Sequence, residues 1–219
     1  MEIIVEGVGT KKITPDEVIL NLTFNYKNDN YNQVLKEGTE IVANFISDVL
    51  EPNKFTKEDL KTSSFVIREN TKYNEITKRY ELDGYLFEQR SKLIFDYDKE
   101  KIALIMEAIS KFYESPKCII NFDLKNKKEC RKNVLSLAYK DALEQANAIA
   151  EAAETRLVGC MKVDFKPFTT TYVSNSNLDN DGMLYRKAAY KEAASNIINT
   201  FNPEDIIITE KLYCLWIAE

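Results

Sequence analysis

Residues 126–154 read NKKECRKNVLSLAYKDALEQANAIAEAAE, and residues 156–168 continue RLVGCMKVDFKPF. The first stretch carries the longest helical pattern in the chain. Asn126 stands where an N-cap is needed and Glu129 at the third helical position. This is an asparagine version of the capping box, in which the two side chains satisfy each other's otherwise orphaned backbone amides. Val134, Ala138, Ala142, Ala146, Ile149 and Ala153 recur at helical spacing and define one face. Most of them are alanine, so the helix can approach its partner closely. In the second stretch Met161, Val163 and Phe165 alternate, which is the period of a strand. The two together predict a helix lying on a sheet.

Upstream, EIIVEGVG at residues 2–9 reads as a strand, and Pro15-Asp16 punctuates the turn that follows. Leu20, Leu22, Phe24 and Tyr26 alternate with polar residues, which predicts a second strand with one buried face and a hairpin with the first. Asp29 or Asn30 caps a helix whose stripe includes Tyr31, Val34, Leu35, Ile41, Val42, Phe45, Val49 and Leu50, with Pro52-Asn53 ending it. Leu60–Arg68 returns to strand character, and residues 69–77 read as a hairpin loop. Arg79–Tyr97 is a long strand whose apolar phase slips at Asp83-Gly84. One extra residue in a β-bulge produces such a slip, and glycine accepts the backbone angles it requires.

Residues 99–114 form a second amphipathic helix through Ile102, Ile105, Met106, Ile109, Phe112 and Tyr113. Cys118, Ile120, Phe122 and Leu124 make the next strand. After the long helix and its strand, residues 169–203 break the rhythm with loop composition and then an alanine-rich, weakly helical run. Residues 206–217, IIITEKLYCLWI, are apolar on both parities, which predicts a strand in a central position. The expected fold is α+β: a mixed, mostly antiparallel sheet with three main helices packed on it, in the order ββαββαβαβ, a long segment, then β. The whole of 1–219 is expected to be one domain.

Composition removes several function classes. The 219 residues include no histidine, so Ser-His and Cys-His nucleophile pairs and the commonest metal ligand are absent. A net charge of −5 gives no general field for nucleic acid. No run of about 18 apolar residues spans a membrane. The opening residues lack the pattern of an export signal, so a complete chain is expected to be cytoplasmic. The alternative is an exported protein whose signal has been removed.

The four cysteines, Cys118, Cys130, Cys160 and Cys214, contain no CxxC pair. Cys130 falls in the first helical turn of 126–154 beside Lys127, Lys128 and Arg131. A helix N-terminus and basic neighbours lower a thiol pKa, which makes it the redox candidate, whereas its position on the stripe of Val134 favours packing. Gly7-Val8-Gly9 lacks the third glycine and the helix of a phosphate loop. Tyr80, Tyr85 and Phe87 read as an aromatic platform for a nucleic-acid strand or, in keeping with their alternation, as packing residues. Asp141 and Glu144 read as a solvated helix face.

Taken in order, these features resemble the SIMPL-domain family, which includes bacterial oxidative-stress-defence and periplasmic antigen proteins. IIVEGVGTKKITPDEVILNLTF is similar to the family's opening. Asp83-Gly84-Tyr85 resembles its Gly-Tyr strand, and AYKDALEQANAIAEAAETRLVGCMKV its alanine-rich helix followed by Leu-Gly. MLYRKAAYKEAASNIINTFNPEDIIITEKLYCLWI resembles its closing segment. The resemblance implies an α+β fold and a stress-related role, and it carries no catalytic residue or cofactor to this chain. The resulting expectation is a non-enzymatic, self-associating protein. It has no cofactor, no nucleic-acid partner and no membrane insertion, and it engages a second copy or another protein through 169–203, with Met183, Tyr185, Arg186 and Tyr190 as contact residues. The alternatives are a thiol redox protein using Cys130 and a small-ligand binder with a pocket between the helix stripes and the bulged strand.

Overall fold

The computed structural model describes residues 1–167 and 202–219. The candidate contact residues Met183, Tyr185, Arg186 and Tyr190 lie outside the described residues, as does nearly all of 169–203. Among the described residues the protein is α+β, with three α-helices and two antiparallel sheets. The strands divide into a three-stranded and a four-stranded sheet, each belonging to its own compact unit.

The first unit holds β1 (Glu2–Ile13), the long helix, here α3 (Lys127–Ala152), β6 (Leu157–Asp164) and β7 (Ile206–Ala218). The sheet order is β1-β7-β6, so the strand that is apolar on both parities is indeed central. The expected hairpin between the first two strands does not form. β1 pairs antiparallel with β7 along its whole length, from Glu2 opposite Ile217 to Ile13 opposite Ile206. Its partner is chosen by packing under α3: Ile3, Val5, Leu212, Cys214 and Trp216 share one buried face.

α3 is capped as its sequence requires. The Asn126 side chain accepts from the Glu129 amide at 3.2 Å and donates to the Glu129 carboxylate at 2.6 Å. Its buried line is Val134, Ala138, Ala142, Ala146 and Ala150. Ile149 and Ala153, expected on that face, are exposed, and Ala150 takes the place. The reason is the closeness of the contact. A Cβ added to Gly7 would lie 2.1 Å from the Ala138 carbonyl oxygen, and one added to Gly9 2.2 Å from that of Val134. Helix and strand backbones meet directly, and only a single i, i+4 line of small residues fits between them.

β6 departs from simple alternation. Its register with β7 skips Val158 and Met161, two single-residue bulges. They bring Leu157, Cys160 and Val163 opposite Ala218, Trp216 and Cys214 and leave Met161 70% exposed.

The second unit contains β2 (Glu17–Asn28), α1 (Tyr31–Phe45), β3 (Leu60–Asn74), β4 (Arg79–Asp96), α2 (Lys99–Lys111) and β5 (Lys117–Asp123). The sheet order is β3-β4-β2-β5. Val18, Leu20, Leu22 and Phe24 of β2 form its core with Phe87 and Leu93 of β4, Phe45 of α1 and Ile105 of α2. α1 is capped by Asn30, whose side chain accepts from the amides of Asn32 and Gln33. It passes into one π-helical turn, Ile46–Leu50, before Pro52. α2 stops at Lys111, so Tyr113, expected on its apolar face, lies beyond the helix and is exposed.

Candidate functional site

Three features of the described residues offer chemistry or a contact surface. The first is the β3–β4 hairpin. β2 ends at Asn28, paired with Tyr85, while β4 continues to Arg79 paired with β3 alone. The strands run to Asn74 and from Arg79, so the loop expected over 69–77 is mostly paired ribbon with a turn at 75–78. At roughly 3.3 Å per residue the ribbon projects about 20 Å past the end of β2.

The root and tip of this arm are both fastened. At the root, β4 carries two residues, Asp83 and Gly84, where β3 has only Asn70, so the bulge sits where the phase slip placed it. Gly84 has φ +79, and a Cβ there would lie 2.7 Å from the Asn28 carbonyl oxygen. The Asp83 carboxylate accepts from Lys27 Nζ at 2.5 Å and from Asn70 Nδ2 at 2.9 Å. The lysine holds the Asp83 carboxyl below its ordinary range. At the tip, Asn74 Oδ1 accepts from the amides of Ile76 and Thr77. Glu81 accepts from Asn74 Nδ2 and Thr77 Oγ1, which lower its pKa.

The two faces of the arm differ. Tyr73 is opposite Tyr80 and Thr71 opposite Leu82, so these four share one face. The tyrosine rings meet edge to face with centroids 5.3 Å apart. Tyr80 is 74% exposed and Ile76, in the turn, 92%. The opposite face carries Lys72, Asn74, Arg79 and Glu81. Tyr80, Tyr85 and Phe87 do not form a platform: Phe87 is buried in the core and Tyr85 packs against Tyr31.

The second feature is a cleft of about 490 Å³ between the π-helical turn and α2, with Val49, Leu104 and Phe112 among its apolar walls. Its charged groups are already engaged. Asp48 accepts from Ser47 Oγ at 2.8 Å, and Glu107 pairs with Lys111 at 2.5 Å. The space between α1 and the bulged strand is filled, with Gly38 set against the Phe87 ring.

The third is a thiol cluster in the first unit. Cys160 of β6 and Cys214 of β7 lie on the sheet face under α3, with Cys214 two residues along β7 from Trp216, the partner of Cys160. Cys160 packs against the buried cluster that includes Cys214 and Trp216. Tyr139 lies 5.6 Å, centroid to centroid, from Trp216. Burial pushes the Cys214 thiol up to about 11. Cys130, the thiol singled out in the sequence, is half-buried in the first turn of α3, roughly 14 Å along the helix from Tyr139. The pairing of Cys160 with Cys214 depends on the bulge at Met161, which no local pattern announces. Among the described residues no cluster of acidic and cysteine side chains is arranged to hold a metal ion.

Among the described residues, the fold and candidate surfaces define an α+β protein of two compact units with a projecting ribbon. The family model for SIMPL, described as a protein of unknown function (DUF541), matches residues 3–209. The chain belongs to the SIMPL family. No curated protein matches it. Among the described residues no helix is long and apolar enough to cross a membrane.

Proposed function

We propose that this SIMPL-family protein is a non-catalytic, self-associating protein whose β3–β4 arm makes the contact with a second copy. The observation that carries the reading is the exposed face of Tyr73, Tyr80 and Leu82 on a ribbon fastened at both ends. An isolated two-stranded ribbon is marginal in water, and large aromatic residues held in a rigid frame are the usual anchors of protein contacts.

A second copy is the favoured occupant on charge grounds. The whole chain carries −5 and repels itself, yet along the arm Arg68, Lys72, Lys78 and Arg79 balance Glu69, Glu75, Glu81 and Asp83. A neutral surface of mixed sign does not repel its own copy, as a two-fold contact of one patch with itself requires. The edges of the three-stranded sheet fit this role less well, because β6 is bulged twice and β1 is covered by side chains of α3. A stress-related role is the accompanying part of the reading, and it rests on the family resemblance.

The test is sedimentation velocity on the full chain and on a Tyr80→Glu, Leu82→Glu variant. The expected result is an oligomer that dissociates in the variant while far-UV circular dichroism is unchanged. A wild-type monomer at high concentration, or an oligomer indifferent to the substitutions, overturns the proposal.

A further inference from the structure

We propose that Cys160 and Cys214 form a reversible dithiol site, which a hydroperoxide oxidises to a disulfide linking β6 to β7. The inference is independent of the arm, since it uses only residues of the first unit.

The argument starts from register. Cys160 is opposite Trp216 and Val163 opposite Cys214, so the two cysteines are diagonal neighbours on one face of an antiparallel pair. Side chains in that relation are within each other's reach, and Cys160 packs against the buried cluster that contains Cys214. Closing a disulfide requires the strands to draw together slightly. β6 can supply that movement, because it is an edge strand with a bulge at Met161 between the two rungs.

The two thiols have different surroundings, which assigns their roles. Cys160 is partly open to solvent, and its sulfur donates only a long 3.5 Å contact to the Lys162 carbonyl. Cys214 is fully buried. The accessible thiol therefore meets the oxidant and the buried one resolves the product. In the first step the Cys160 thiolate attacks the distal peroxide oxygen. An S–O bond forms, the O–O bond breaks, and the leaving oxygen takes a proton to depart as water or an alcohol, giving a sulfenic acid at Cys160. In the second step the Cys214 sulfur, losing its proton, attacks the Cys160 sulfur. The S–S bond forms and the sulfenic oxygen leaves as water. The pair loses two electrons in total and the hydroperoxide gains them. A low-molecular-weight thiol reverses the change by exchange.

The test uses the reduced full chain and hydrogen peroxide as the probe. Denatured thiol titration is expected to fall from four free cysteines to two. Peptide mapping under non-reducing conditions should show Cys160 joined to Cys214 within one chain. Fluorescence of the single tryptophan, Trp216, should change on oxidation and return with dithiothreitol. In Cys214→Ala, dimedone should capture a sulfenic acid at Cys160. Should that variant fail to fold, the wild-type peptide map decides alone. Four thiols remaining after peroxide, a disulfide involving Cys118 or Cys130, or over-oxidation of Cys160 without any bridge overturns the proposal.

Discussion

The amide N–H of Val8 donates to Oδ2 of Asp141 at 2.8 Å, so a helix side chain occupies the place where another strand would pair with β1. One turn further along α3, Gln145 Nε2 donates to the Glu6 carbonyl at 3.0 Å and also to Asp141 at 2.9 Å. Helix and sheet edge are thereby stitched by a donor and an acceptor, and β1 is no longer a free template for strand addition. Replacing Asp141 by alanine should destabilise the protein by about 0.5–1.5 kcal/mol, the usual net worth of a hydrogen bond whose donor water can then reach. It should also speed hydrogen exchange at the Val8 amide specifically. Unchanged protection at Val8 would show that the bond contributes nothing.

Gly7 and Gly159 provide a matched pair of substitutions. A Cβ on Gly7 would sit 2.6 Å from the Ala142 Cβ and closer still to the Ala138 carbonyl oxygen, whereas a Cβ on Gly159 meets nothing within 4 Å. Gly7→Ala forces α3 off the sheet, and its expected cost in urea denaturation is about 1–3 kcal/mol or more. Gly159→Ala should fall within about 0.5 kcal/mol of wild type, as surface substitutions do. Equal effects for the two variants would contradict the close packing.

How much of this was legible follows from how local each signal is. The Asn126 N-cap and the bulge at Asp83-Gly84 are written in residues a few positions apart and both form, although the Glu129 carboxylate takes the Asn126 side-chain amide rather than its backbone amide. The α3 face was read from residue type, which favoured Ile149. Geometry instead selects Ala150, because the face must be thin rather than apolar. The pairing of β1 with β7 joins the two ends of the chain, and the alternation of β1 is equally consistent with a hairpin. Asp141 looked like a solvated acid because a bond to a strand edge leaves no pattern in sequence. Cys130 drew attention through its basic neighbours. Cys160 and Cys214 came together only through a strand register interrupted by two bulges. One side of the arm, around Tyr73, lay within residues 69–77 that read as a loop, so its pairing with Tyr80 and Leu82 of the expected strand was not visible.

The root of the arm should respond to acid. Lys27 and its companion bonds lower the Asp83 carboxyl from an ordinary value of 3.8, and Asn74 and Thr77 lower Glu81 from 4.5. A carboxyl that binds its proton less readily when folded stabilises the fold above its unfolded pKa. That contribution is lost as pH falls through the lowered folded value. Hydrogen exchange across residues 70–84, with pH-dependent intrinsic rates factored out, should therefore stay slow down to about pH 4 and loosen below it, before the core opens. In Asp83→Asn the same amides should be less protected already at neutral pH. An arm that opens only together with the core would count against independent fastening at Asp83.

Alkali should act through the buried thiols. Burial raises both Cys118 and Cys214 from 9.0 to about 11. Cys118 sits in the second unit with its sulfur 3.9 Å from that of Met106, and Cys214 lies in the first unit under α3. As pH rises past 9 the unfolded chain releases these protons while the folded chain retains them. The unfolded state then binds fewer protons, and stability must fall with pH until the folded thiols ionise near 11. Urea midpoints measured between pH 8 and 11 should decline for wild type and decline less steeply for Cys118→Ala, which removes one of the two titrating groups. Native-state alkylation at pH 8 should follow the same order, with Cys160 modified well before Cys118 and Cys214. Rapid labelling of Cys118 in the folded protein would show that the β5 strand opens far more easily than its packing implies.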